Sequence, residues 1–121
     1  MEYYRYKDED HITCVLCKHY CSLKKDKHGI CGVNFNIDSK LVNKTYNHPS
    51  AVHIDPIEKK PLYHFLPSSR SLSIGTVGCN FRCPFCQNYT ISQTSTVDES
   101  VVYTPEDLVK LAVENNTESI K

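Results

Sequence analysis

The 121-residue sequence has no tryptophan, one methionine, four glycines and no net charge, and its longest apolar runs are only a few residues. Each scarcity removes a class of function. Fourteen Lys and Arg balance fourteen Asp and Glu at a pI near 7.0, so the chain lacks the basic surface of a nucleic-acid binder. The charge is not polarised either, with 10 basic and 8 acidic side chains in the first 60 residues and 4 and 6 in the remainder. The eight tyrosines are scattered, and no aromatic stripe interleaves with a basic patch as a single-strand binder requires. Short apolar runs exclude a membrane span. The start, Met1-Glu2-Tyr3-Tyr4-Arg5-Tyr6-Lys7, has no apolar core of a secretion signal. Internal repeats and low-complexity tracts are absent. A hydrophobic content of 40% with a mean hydropathy of -0.44 leaves room for one domain, or one domain and a small annex, with a modest core.

Cysteine is what the chain has in excess. There are seven, an odd number that suits disulfide pairing poorly in a chain without a secretion signal. Reduced thiols and a cytoplasmic location are the expectation. The cysteines fall into two groups, Cys14, Cys17, Cys21 and Cys31, then Cys79, Cys83 and Cys86.

Local chemistry divides the rest. Residues 1–10 are charged and tyrosine-rich without periodicity and read as a lead-in. Residues 11–47 form a cysteine-rich region whose stretch from Ser22 to Gly29 supplies no apolar face, so something other than packing must fold it. Within it Val33, Phe35 and Ile37 alternate with Asn34 and Asn36, then an Asp38-Ser39 turn leads to a second short strand from Leu41, which predicts a hairpin. Pro49, Pro56, Pro61 and Pro67 exclude regular helix from the connecting segment 48–69 and leave extended chain with a brief strand near Ala51 to Ile54. In residues 70–121, Leu72 to Gly75 reads as a strand running into the second cysteine group, with Gly75 and Gly78 permitting a sharp turn. Thr104, Pro105, Glu106 and Asp107 make a helix start, and Leu108, Leu111 and Ala112 recur on one face, most simply core. Ser119-Ile120-Lys121 reads as the opening of a further strand.

Cys79, Cys83 and Cys86 place three thiolates at x3 and x2 spacing in one short loop. Such density suits zinc or an iron-sulfur cluster. A structural zinc is closed by four ligands, whereas three leave a centre with one open position. On the residues alone, a zinc site or a cluster used only for electron transfer stands beside a reactive cluster.

The CxxxCxxC pattern, with Phe85 before its last cysteine and a predicted strand before it, resembles the signature of radical S-adenosylmethionine (radical SAM) enzymes. Two longer segments, Gly75-Thr76-Val77-Gly78-Cys79-Asn80-Phe81-Arg82-Cys83-Pro84-Phe85-Cys86-Gln87-Asn88 and Asp55-Pro56-Ile57-Glu58-Lys59-Lys60-Pro61-Leu62-Tyr63-His64-Phe65, resemble the radical SAM protein of the AmmeMemoRadiSam system. That family is in turn similar to pyruvate formate-lyase activating enzymes. The resemblance implies that Cys79, Cys83 and Cys86 hold a 4Fe-4S cluster, that the cluster reductively cleaves S-adenosyl-L-methionine to a 5'-deoxyadenosyl radical, and that Phe85 sits against the adenine. It assigns no catalytic residue beyond the cluster.

Cys14, Cys17, Cys21 and Cys31 are the ligand set expected of a structural zinc or a closed auxiliary cluster. Relatives in the same family carry a similar cysteine-rich region, usually with Cys-Pro-His where this chain has Cys17-Lys18-His19. His19 and His28 are substitute ligands in principle, although a lone histidine in a polar loop is more often solvated. Asp55, Glu58, Lys59, Lys60 and His64 cluster as acid–base candidates, with a surface packing loop the preferred alternative.

The resemblance implies an α/β chain: the start of a partial β/α, TIM-like radical SAM barrel, incomplete, preceded by a small cysteine-rich metal-binding region with a β-hairpin. A whole barrel takes about 250 residues, and the sequence stops 35 residues after Cys86, so the expectation is a fragment, a truncated product or half of a split enzyme, inactive alone. Its partners would be an external electron donor and a protein substrate or a chain completing the barrel, with no nucleic acid and no membrane. The rival function is a small zinc or iron-sulfur binding or electron-carrier module without catalysis.

Overall fold

A computed structural model describes residues 3–121, so the lead-in reading of Met1 and Glu2 lies outside the described residues. The chain divides into two compact units, each discontinuous in sequence: Met1–Tyr46 with Val77–Val97, and Asn47–Thr76 with Asp98–Lys121. These bounds differ from the four segments read from the sequence, because residues 70–121 are shared between the units.

In the first unit, β1 (Tyr4–Asp8), β2 (His11–Cys14) and β3 (Ser22–Lys24) form an antiparallel sheet in that order. Ile12 lies opposite Leu23 in the β2–β3 register. With Cys14 they make a core of three buried residues, against which Tyr4, Cys21 and Leu41 pack. Tyr4–Asp8, read from the sequence as lead-in, is thus one edge of this sheet. A hairpin follows, β4 (Asn34–Ile37) and β5 (Lys40–Asn43). Its two turn residues, Asp38 and Ser39, both have positive φ, 49° and 58°, the backbone that a two-residue hairpin loop requires. The faces of β4 are the reverse of the hydrophobic expectation. Asn36 is fully buried while Phe35 and Ile37 are only half-buried, because the Asn36 amide donates to the carbonyls of Asp10 at 3.1 Å and Leu23 at 2.9 Å. It thereby satisfies backbone that the small core cannot cover.

In the second unit, β6 (Ala51–Pro56) runs antiparallel to β7 (Arg70–Gly75), and a two-residue β8 (Ser119–Ile120) pairs parallel on its other side. A short 3-10 turn, Ile57–Lys59, follows β6. Helix α2 (Pro105–Glu114) begins with a full capping box, Thr104 accepting from the Asp107 N–H while the Asp107 carboxylate accepts from the Thr104 N–H. The only other α-helix among the described residues is a single turn, α1 (Tyr89–Ser92), in the first unit. Leu72, Ile57 and Ala112 supply the buried apolar side chains of the second unit.

The α/β expectation, a started TIM-like barrel, is therefore corrected. Among the described residues the structure is eight short strands in three small sheets with few helical residues. A β/α barrel needs its strands flanked by parallel neighbours, whereas the neighbour along the whole of β7 is the antiparallel β6. The physical reason lies in the segments themselves: most strands bury one or two residues each, too little apolar surface to carry an outer layer of helices.

Asp55 closes β6 with a polar network. Its carboxylate accepts from Lys59 Nζ at 2.7 Å, Lys60 Nζ at 3.0 Å and Ser73 Oγ at 2.9 Å, and these donors, Lys59 first, hold its pKa well below the ordinary carboxylate range against the opposing effect of burial. The Lys59 side chain is largely exposed and screened by solvent, whereas that of Lys60 is mostly covered. Since the folded-state value is depressed, the network stabilises the fold above the unfolded value of about 4 and this contribution is lost as pH falls below it. Urea unfolding at about pH 6 and about pH 3 is expected to show a steeper acid loss for the wild type than for Asp55→Asn. Equal losses would mean that the network does not contribute.

Candidate metal centre

All seven cysteines belong to the first unit. The sheet fixes the first group. Cys14 ends β2 with its side chain in the core, and its N–H bonds to the carbonyl of Cys21 at 2.9 Å. A tight turn closes Cys17 to Tyr20, and Cys31 follows the buried Gly29. Cys14, Cys17, Cys21 and Cys31 all line one cavity of about 330 Å3, with Leu16 and Ile30 supplying apolar wall. Burial pushes the Cys14 thiol pKa up, and the nearby thiols of Cys17, Cys21 and Cys31 push it further. Four thiols on one cavity wall form a donor set that fits a bound cation.

The same cavity is lined by Cys79 and Asn80 of the second group. The juxtaposition is built by backbone. Gly78 has φ +85°, and a Cβ there would lie 2.5 Å from Val33 Cγ1 and 2.6 Å from the Cys31 carbonyl oxygen. Arg82 is consumed in holding the loop, its guanidinium donating to the carbonyls of Ile30 at 2.7 Å, Cys79 at 3.0 Å and Phe81 at 3.1 Å. His19 Nε2 donates to the Asn80 carbonyl at 2.9 Å. The sequence singled out neither Arg82 nor Asn80, and it placed His19 as a substitute ligand. The Arg82–Ile30 and His19–Asn80 contacts reach across 52 and 61 residues, so no local pattern signals them.

Cys83 and Cys86 do not line this cavity. Cys83 is exposed, and Cys86 is half-buried with its Sγ 3.4 Å from Ser92 Oγ. Cys79 Sγ accepts the Phe81 N–H at 3.4 Å, and the Cys86 N–H turns back onto the Cys83 carbonyl at 3.2 Å. Phe85 is 85% exposed. Among the described residues no three His, Cys, Asp or Glu side chains converge on one point as a metal-binding group; the thiols stand around a cavity wall and along a loop. As a donor set, three thiols within eight residues, two of them hydrogen-bonded at sulfur, fit an iron-sulfur cluster.

The remaining candidates are engaged elsewhere. His28 Nδ1 donates to the Gly29 carbonyl at 2.8 Å, and its ring meets Phe35 edge-on at 5.2 Å. Neither His19 nor His28 lines the thiol cavity. Asp55, Lys59 and Lys60 are brought together in the second unit, but Glu58 is turned to the Ser68 N–H at 2.7 Å and His64 is exposed.

Two proteins of Methanocaldococcus jannaschii, each described only as uncharacterized, are similar to this chain. One is 38% identical over 121 residues, covering 98% of the chain and 36% of the relative, and the other is 27% identical over 104 residues, covering 82% and 26%. The chain thus spans about a third or less of the length of the curated relatives it matches. No protein-family model matches it. No solved structure matches it. No helix among the described residues is long and apolar enough to cross a membrane.

Proposed function

We propose that this chain carries the cluster-binding loop of a radical SAM enzyme, with Cys79, Cys83 and Cys86 as ligands of a 4Fe-4S cluster and S-adenosyl-L-methionine as its co-substrate. The observation that carries the reading is the loop itself: three thiols within eight residues, immediately after β7, with Cys83 and the Phe85 ring open to a ligand. When bound, such a cluster supplies an iron with an open position and an electron for cleaving the sulfonium of the nucleoside.

The protein's own contribution is to fix and expose the loop. Gly78 and Arg82 pin its start, and the N–H of Phe81 and the Ser92 hydroxyl lie at hydrogen-bond distance from the sulfurs of Cys79 and Cys86. Phe85 offers an aromatic face on which a purine can stack. Arg82, already donating to three carbonyls, is a positioning residue and leaves the carboxylate of the nucleoside to other groups. The thiols require a reducing compartment, the cytoplasm, and the chemistry requires an external electron donor. An activating role toward a protein substrate follows by analogy alone.

Anaerobic reconstitution followed by electron paramagnetic resonance of the reduced protein tests the reading. A cluster signal is expected that shifts on addition of S-adenosyl-L-methionine and whose shift disappears in Cys83→Ala. An iron signal indifferent to the nucleoside, or zinc without sulfide at these cysteines, would overturn it in favour of a metal-binding module without catalysis.

A further inference from the structure

We infer that the cavity walled by Cys14, Cys17, Cys21 and Cys31 takes an iron-sulfur cluster in place of a single zinc ion. The argument is one of size and lining. Zinc draws its four sulfurs to about 2.3 Å, which sets them less than about 4 Å apart and leaves no internal space. Here the four thiols border about 330 Å3, room for roughly ten waters at about 30 Å3 each. Eight inorganic atoms of a cubane cluster fill a space of that order; one ion does not. The wall between the cysteines is partly apolar, Leu16 and Ile30, as suits a cofactor whose bulk is sulfide and iron and is poorly suited to a hydrated cation.

The unit also has little apolar packing of its own. Its main buried cluster is Ile12, Cys14 and Leu23, Val33 and Val77 add two further buried side chains, and the polar stretch from Ser22 to Gly29 buries only Leu23 and Gly29. Coordination free energy then serves as folding free energy. Cys79 reaches the same cavity, and Gly78 rests on Cys31 and Val33, so filling the cavity orders the start of the second cysteine loop as well.

The inference concerns different ligands from those of the proposed function, and the experiment separates them. The double variant Cys83→Ser/Cys86→Ser keeps all five cavity thiols and removes two of the three loop ligands. Incubated anaerobically with ferrous iron, sulfide and equimolar zinc, it is expected to retain one cluster's worth of iron and acid-labile sulfide per chain, with the broad visible absorption of thiolate-to-iron charge transfer. Adding Cys17→Ser, which alters a half-buried position outside the core, is expected to remove that absorption. Zinc without sulfide in the double variant, or no bound metal, overturns the inference, as does absorption that survives Cys17→Ser. Loss of the nucleoside response in this variant is built into its design, so failure of the radical SAM reading would not alter these outcomes.

Discussion

Gly78→Ala is expected to lower the unfolding free energy by about 2–4 kcal/mol, the midpoint in urea shifting down with an unchanged slope. Two independent costs combine. With φ at +85°, any residue with a Cβ occupies the left-handed region at about 1–2 kcal/mol. The added methyl also meets Val33 Cγ1 at 2.5 Å and the Cys31 carbonyl at 2.6 Å, and backbone does not yield as a flexible side-chain tip does. Relief requires the loop to lift away from Cys31, so Cys79 should withdraw from the thiol cavity and metal retention should fall alongside stability. Gly29→Ala is the matched comparison: its Cβ would stand 3.3 Å from Cys21 Sγ, a tight but yielding contact, for which about 1 kcal/mol or less is expected. Equal effects of the two substitutions would show that Gly78 is not a point of forced approach.

Asn36→Asp is expected to cost about 3 kcal/mol or more near neutral pH. The native amide has 0% exposure and donates to the Asp10 and Leu23 carbonyls, while its Oδ1 is buried with no protein partner. A carboxylate there loses both donors and turns negative charge toward two carbonyl oxygens. Burial and those dipoles raise the folded-state pKa of the introduced group, so the penalty is greatest above that raised value, shrinks as pH falls from it toward about 4, and is smallest below about 4, where the unfolded chain is protonated too. Urea titrations at neutral and acidic pH read this directly. A pH-independent penalty would locate the damage in lost donors alone.

What the sequence made legible is what nearest neighbours decide. The hairpin at Asn34–Asn43 forms where the Asp38-Ser39 turn pins it, and α2 starts at Pro105 because Thr104 and Asp107 cap each other within four residues. The strands β6 and β7 likewise form in short apolar runs flanked by proline and glycine, and β8 forms at the Ser119-Ile120 opening. The faces of β4 were not legible, since alternation ranks Phe35 and Ile37 above Asn36 and cannot foresee two distant carbonyls that need a donor. The fold class was misjudged for a related reason. The barrel was implied by motif resemblance at 75–88, which speaks to the loop, whereas the sheets are set by pairings such as Tyr4 with Cys14 and Asn36 with the Leu23 carbonyl. At the candidate site, the two cysteine groups were visible as spacing, but that Cys79 shares a wall with Cys31 depends on one glycine packing against a segment 45 residues earlier.

The discontinuity of the first unit sets an order of events during synthesis. Cys14, Cys17, Cys21 and Cys31 leave the ribosome well before Val77–Val97, with all of Asn47–Thr76 between. At about 5–20 residues per second, those thirty residues take roughly 2–6 s. For that interval four thiols wait without Gly78, Cys79 or Arg82 to close over them. A nascent chain in this state is open to whichever metal or oxidant arrives first, so the identity of the centre proposed for these thiols would be decided partly by timing. Pausing translation within residues 47–76 should change what the finished chain carries.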